Sequence, residues 1–167
     1  DYDEDTEKIK EVIDNSPYNP NNKIVTVHWR KIEDGIIGEA DRSVFYHNDY
    51  SVSDRRDKLQ TALDWADVFI AHNSKYDLGY LIEAGFRLPK IVRDTIIGEY
   101  ILARGTDVAL SLEETAKRRE VEQKKLDITK DFFKKKIGYE KMPLPIVLEY
   151  GDADVLATAQ IYLQQVE

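Results

Sequence analysis

Two short stretches hold residue types that could bind a hard cation. The first is AHNSKYD at 71–77, where Asp77 stands just inside a helix that follows a buried strand. A carboxylate there projects from the carboxyl edge of the strand, the edge at which α/β sheets place ligands. The helix N-terminus also favours its negative charge. The plainer role for Asp77 is to cap that helix. The second stretch is YGDAD at 150–154, inside a long C-terminal helix. Tyr150 and Asp154 are four apart and share one helical face, which continues as Val147, Ala157 and Ile161. An aspartate on an apolar face is costly unless it is paired or holds a metal. Tyr150 by itself would read as a core aromatic with its hydroxyl at the surface, and Asp152 as a surface residue. Carboxylate oxygens from separate elements suit magnesium or manganese. With no cysteine, and His28, His47 and His72 scattered along the chain, a zinc site is not indicated. His28 and His47 read as structural, and His72 and Asn73 as neighbours of the site.

The elements that must present these residues follow from patterning. KIVTVHW at 23–29 is β-branched and strand-like, and Asp34-Gly35 signals a hairpin. Ile36-Ile37 and Ser43–Tyr46 then suggest an antiparallel meander. Leu59, Ala62, Leu63 and Ala66 recur at helical spacing. Val68–Ala71 is a short buried strand, Leu78–Ala84 a helix closed by Gly85, Ile91–Arg93 a strand, and Thr95–Ala103 a helix ending at Gly105. Ser111-Leu-Glu-Glu114 is a capping box that opens another helix. Pro143 and Pro145 introduce the last helix. This order predicts a single α/β domain on a mixed sheet, an antiparallel meander plus parallel strands, flanked by helices.

Hydrophobic residues make up 42% of the 167, a globular share, and no segment approaches the roughly 20 apolar residues of a membrane span. The expected setting is cytoplasmic, with no membrane partner. The net charge of −8 argues against phosphate binding, but its distribution does not. Between Lys117 and Lys136, nine basic residues face four acidic ones, with Phe132, Phe133 and Tyr139 close by. A basic groove with stacking aromatics binds single strands without reading sequence. The alternatives are a solvated helical face for the lysines and burial for the two phenylalanines.

Taken in order, Asn73-x-x-Tyr-Asp77 and Tyr150-x-x-x-Asp154 resemble the second and third motifs of the DEDD 3′→5′ exonuclease superfamily, tyrosine subclass. VRDTIIGEYILA at 92–103 and ALSLEETAKRR at 109–119 resemble the stretch between those motifs in the proofreading domains of family-A DNA polymerases, the phage type above all. SPYNPNNKIVTV and PLPIVLEYGDAD add to that likeness, which covers about residues 16 to 166. The first motif departs from the pattern. Asp5-Thr6-Glu7 has the expected letters and Asp3-Glu4-Asp5-Thr6 is a looser match, but nothing apolar precedes either. The strand that presents this motif is therefore expected to be truncated or altered.

The resemblance implies a ribonuclease H-like fold and hydrolysis at the 3′ end of single-stranded DNA, with RNA an open alternative. It also implies a polymerase domain in the same parent chain. Two divalent cations, Mg2+ or Mn2+, would be held by Asp5, Glu7, Asp77 and Asp154. Asp154 with the first-motif acids would serve the hydrolytic metal, Asp77 would help hold the second through water, and Tyr150 would orient the attacking water. Asn73, Lys134, Lys135 and Lys136 are the expected nucleic-acid contacts. Competing readings are a stand-alone exoribonuclease or repair exonuclease, and an inactive exonuclease-like binding module.

Overall fold

The structure, a computed structural model, describes residues 16–47, 56–121, 131–132 and 134–167. Asp5, Glu7, Lys124, Lys125, Lys130 and Phe133 lie outside them. Strands β1 (Thr26–Glu33) and β2 (Ile36–Val44) form an antiparallel hairpin. Helix α1 (Arg56–Trp65) follows, then β3 (Val68–Ala71), α2 (Ser74–Glu83), β4 (Ile91–Asp94), α3 (Thr95–Leu102) and α4 (Leu112–Arg118). A 3-10 turn at Tyr139–Lys141 leads into the long helix α5 (Leu144–Val166).

The protein is thus α/β, with a small antiparallel sheet, a parallel pair and flanking helices. Both kinds of strand pairing expected from the sequence are present, but as two separate two-stranded sheets among the described residues. The meander is corrected. Ile36-Ile37 and Ser43-Val44 belong to one continuous strand rather than two. The register shifts between Arg30 and Ile32, and Gly38 lies against this irregularity, where a Cβ would sit 3.2 Å from the Lys31 carbonyl. Arg30 Nη1 donates to the Gly38 carbonyl at 2.8 Å. A bulge opposite glycine lets a strand bend and continue. The turn itself uses positive φ at Asp34 and Gly35, the conformation that matches strand twist in a tight hairpin.

Alternation along β1 sends neighbouring side chains to opposite layers. Val27 and Trp29 join Phe45, Phe69 and Leu88 around Leu59, Leu63, Leu81 and Phe86, so β1, α1, β3 and α2 share one apolar core. His28 points the other way, toward α5, which packs on β1, β2 and β3. Val147, Ala157, Ala159 and Ile161 are the buried residues of α5. Among the described residues no helix is long and apolar enough to cross a membrane.

Candidate functional site

The parallel pairing sets Ala71 of β3 opposite Asp94 of β4, so both strands end at one edge. Asp94 is an N-cap for α3 and accepts from Ile96 N at 2.9 Å. Its carboxylate also reaches across to the β3–α2 turn, accepting from Asn73 N at 3.1 Å, Ser74 N at 2.7 Å and Ser74 Oγ at 2.8 Å. Burial works against ionisation of Asp94, but these hydrogen bonds prevail and hold its carboxyl below the usual carboxylate range. Asn73 takes the left-handed conformation, φ 70°, and gives α2 no side-chain cap. The capping role open to Asp77 in the sequence is therefore filled by Asp94 from another element. His72 fastens the same edge, with Nδ1 2.7 Å from Thr95 Oγ1 and Nε2 2.9 Å from the Leu110 carbonyl. With both nitrogens engaged, His72 is a structural residue.

Asp77, in the first turn of α2, is exposed to water. Desolvation, with the Asp94 charge added to it, pushes its carboxyl up to about 6. The two acids sit on one edge with opposite shifts because one is saturated with donors and the other is not.

On α5, the Tyr150 phenol is hydrogen-bonded to both Tyr139 and Asp154. The rings of Tyr139 and Tyr150 lie 6.2 Å apart, inclined at 38°. Burial raises the Tyr150 phenol, the Asp154 charge raises it further, and Glu113 of α4 adds to the negative field. Tyr139 is raised mainly by burial, then by Tyr150 and Asp154. Tyr76 of α2 is pushed up to about 12 by burial and by Tyr80, and it also senses Asp77 and Tyr139. The charge of Asp77 thus bears on Tyr76, and that of Asp154 on Tyr139 and Tyr150. Sequence reading missed the clamp by Asp94, the place of Tyr76 and the nearness of Glu113. Only Asp94 left a signal, an aspartate before a helix-opening threonine.

Asp152 is corrected from a surface residue to a tie between layers. It accepts from His28 Nδ1 at 2.7 Å and pairs with Arg42, fixing α5 to both strands of the hairpin. Gly151 makes the crossing possible, because a Cβ there would fall on the His28 ring. The two-residue offset within YGDAD sends Asp152 to the hairpin and leaves Tyr150 and Asp154 together.

The basic stretch is also revised. Arg118 and Arg119 are both paired with the buried Glu99, and Lys117 with Glu113 and Glu114, so its first part is committed to carboxylates. Lys134, Lys135 and Lys136 are exposed, with Lys134 3.8 Å from Asp131. Lys136 has positive φ and stands three residues before Tyr139, so the run leads into the tyrosine group.

The donors suit a hard cation in kind: carboxylate oxygens, and at Asp77 an acid made harder to ionise by a like charge. In number they fall short, since no group of three or more histidine or carboxylate side chains among the described residues is placed to hold a metal ion. Comparison with protein-family models gives no match, and neither do comparisons with the curated proteins or the solved structures.

Proposed function

We propose that this chain is a ribonuclease H-like 3′→5′ exonuclease domain that removes nucleotides from a single-stranded DNA end, as a proofreading domain does. The observation that carries the reading is the Tyr150–Asp154 pairing on α5, with the hard-to-ionise Asp77 in the first turn of the helix that follows β3. A pair of divalent cations, when bound, supplies positive charge for a water-derived nucleophile and for the leaving 3′-oxygen. Asp77 and Asp154 would hold them, with Asp5 and Glu7 as the remaining donors.

The chain's own residues then have separable tasks. Tyr150, beside Asp154, would orient the attacking water through its hydroxyl. The Lys134–Lys136 run, next to Tyr139, neutralises the phosphates of the incoming strand. Asp94 and His72 touch neither water nor phosphate in this scheme. They fix the strand edge from which Asp77 projects.

Digestion of a 3′-labelled oligonucleotide in Mg2+ or Mn2+ tests the proposal. The wild-type protein shortens the strand from its 3′ end, and Asp77→Ala and Asp154→Ala each abolish this while remaining folded. Full activity in either variant removes that residue from the site, and no cation-dependent digestion by the wild type sinks the reading.

A further inference from the structure

The buried Glu99 accepts from Arg118 Nη2 at 3.0 Å, from Gln165 Nε2 at 2.9 Å and from Arg119 Nε. Arg119 is thereby pinned through Nε, while its two terminal nitrogens have no acceptor among the described residues. Arg119 lines a cavity of about 460 Å³ between α3, α4 and α5, with Leu102, Ala103 and Val108 as its apolar wall. A second cavity of about 360 Å³ adjoins it, sharing Glu120 and Gln164, with Ile37, Val121 and Leu163 as its apolar side. Gln160 lines this second cavity, and its buried Oε1 has no partner among the described residues. A buried amide oxygen without a donor is costly. Gln160 and Gln164 are one turn apart on α5, and Gln164 Nε2 donates to the Arg119 carbonyl at 3.2 Å. The two unmatched groups therefore belong to one groove.

Their chemistry describes the occupant. A guanidinium fixed through Nε offers its remaining N–H groups to a planar carboxylate, two bonds at once. Arg118 and Arg119 against the buried Glu99 leave one positive charge in the first cavity, which a monoanion balances. Glu120, on the shared rim, is exposed to water, which weakens its repulsion. Gln160 calls for an N–H donor one helical turn further along. That turn, about 5.4 Å, is close to the rise of two extended residues, about 6.6 Å.

We propose that the joined cavities bind the free C-terminus of a partner peptide with apolar residues at its last and third-last positions. The carboxylate meets the Arg119 guanidinium, the last side chain lies on Leu102, Ala103 and Val108, and an upstream backbone N–H reaches Gln160. Alternation puts the third-last side chain on the same side as the last, toward Ile37, Val121 and Leu163. Arg119 is recessed, with 19% of its side chain exposed, which suits a chain end better than the backbone of a nucleic-acid strand. The inference does not rest on the exonuclease reading, and its test uses no turnover.

The probes are N-acetyl-Leu-Ser-Leu with a free carboxylate, the same tripeptide as its C-terminal amide, and sodium acetate, each titrated into the whole chain at neutral pH and followed by 15N resonances. The acid binds at least about tenfold more tightly than the amide, the order expected for one lost charge-assisted pair, and it moves the Arg119 Nε and Gln160 side-chain signals together. Equal affinity for acid and amide overturns the inference. Acetate binding as tightly as the tripeptide leaves only a small-acid pocket and overturns the peptide. A single-stranded oligonucleotide that displaces the tripeptide assigns the cavity to the strand, which also overturns it. Arg119→Gln abolishes binding but strips Glu99 of a partner, so two further variants leave the ion cluster untouched. Ala103→Phe fills the first cavity and abolishes binding. Gln160→Leu weakens the tripeptide severalfold and leaves acetate unchanged. Wild-type affinity in a folded Ala103→Phe protein overturns the inference, whatever the protein does to DNA.

Discussion

Asp94 holds the turn that carries Asp77 and, with the same carboxylate, makes Asp77 harder to ionise. One acid is held ionised by four hydrogen-bond donors from two elements. The other takes its neighbour's charge without sharing its donors.

Replacing Asp94 by alanine separates these effects. Loss of the α3 cap and of the bonds to Asn73 and Ser74 should cost about 1–2 kcal/mol in thermal or denaturant unfolding. The Asp77 carboxyl should titrate lower, because the like charge is gone. A midpoint that stays near the wild-type value would assign the whole shift at Asp77 to desolvation.

Asp77 itself gives a pH signature. Its folded value, about 6, lies above the ordinary 3.8, so the fold favours the protonated form. The associated stability is fully present below the unfolded value and is lost as pH rises through about 6. Asp77→Asn should therefore be at least as stable as wild type at neutral pH, with any advantage gone below about pH 4. A cation competes with that proton. Mg2+ affinity should climb as pH passes through the Asp77 midpoint, and saturating Mg2+ should lower the midpoint in a 13C titration of the carboxyl. Affinity flat across that range would detach Asp77 from the metal.

The crossing of α5 over β1 predicts a substitution with an unusual sign. Glycine to alanine inside a helix normally gains up to about 1 kcal/mol. At Gly151 the new methyl meets the His28 ring, which Asp152 holds in place, and overpacking of this kind costs about 1–3 kcal/mol. Gly151→Ala should lower the melting temperature, and His28→Ala should restore part of the loss in the double variant. A gain in stability would mean that the ring moves aside freely.

The lysines and arginines of the basic stretch should behave differently. Charge reversal at Lys134–Lys136 should weaken single-strand binding and flatten its salt dependence by about 0.7 in log–log slope for each phosphate contact removed. Arg119→Ala should leave that slope unchanged and lower stability, because Arg119 serves the buried Glu99. An unchanged slope after lysine reversal would return the run to a solvated face.

The elements around the site were legible because their signals are local. Val68–Ala71 is a strand with the limits read from its residues, and Gly85 closes α2 with positive φ, whereas after α3 the positive φ begins at Arg104, one residue before Gly105. The capping serine of α4 was equally plain, with Ser111 Oγ accepting from Glu114 N at 3.3 Å. What stayed hidden depends on pairing between distant segments. Nothing near Gly38 shows that a bulge 7 residues earlier keeps its strand whole, and nothing near Asp152 shows that His28, 124 residues away, meets its carboxylate. Asp5 and Glu7 fall outside the described residues and stand as the sequence left them.

The central claim is that Asp77 and Asp154 serve one cation site. Trace Mn2+ added to protein labelled with 13C at aspartate carboxyls tests it most directly, since paramagnetic broadening falls steeply with distance from the ion. The account predicts that the Asp77 and Asp154 resonances broaden together at the same low Mn2+ concentration, while Asp152, held by His28 and Arg42, broadens later. Broadening of only one of the pair, or of Asp152 first, would contradict it.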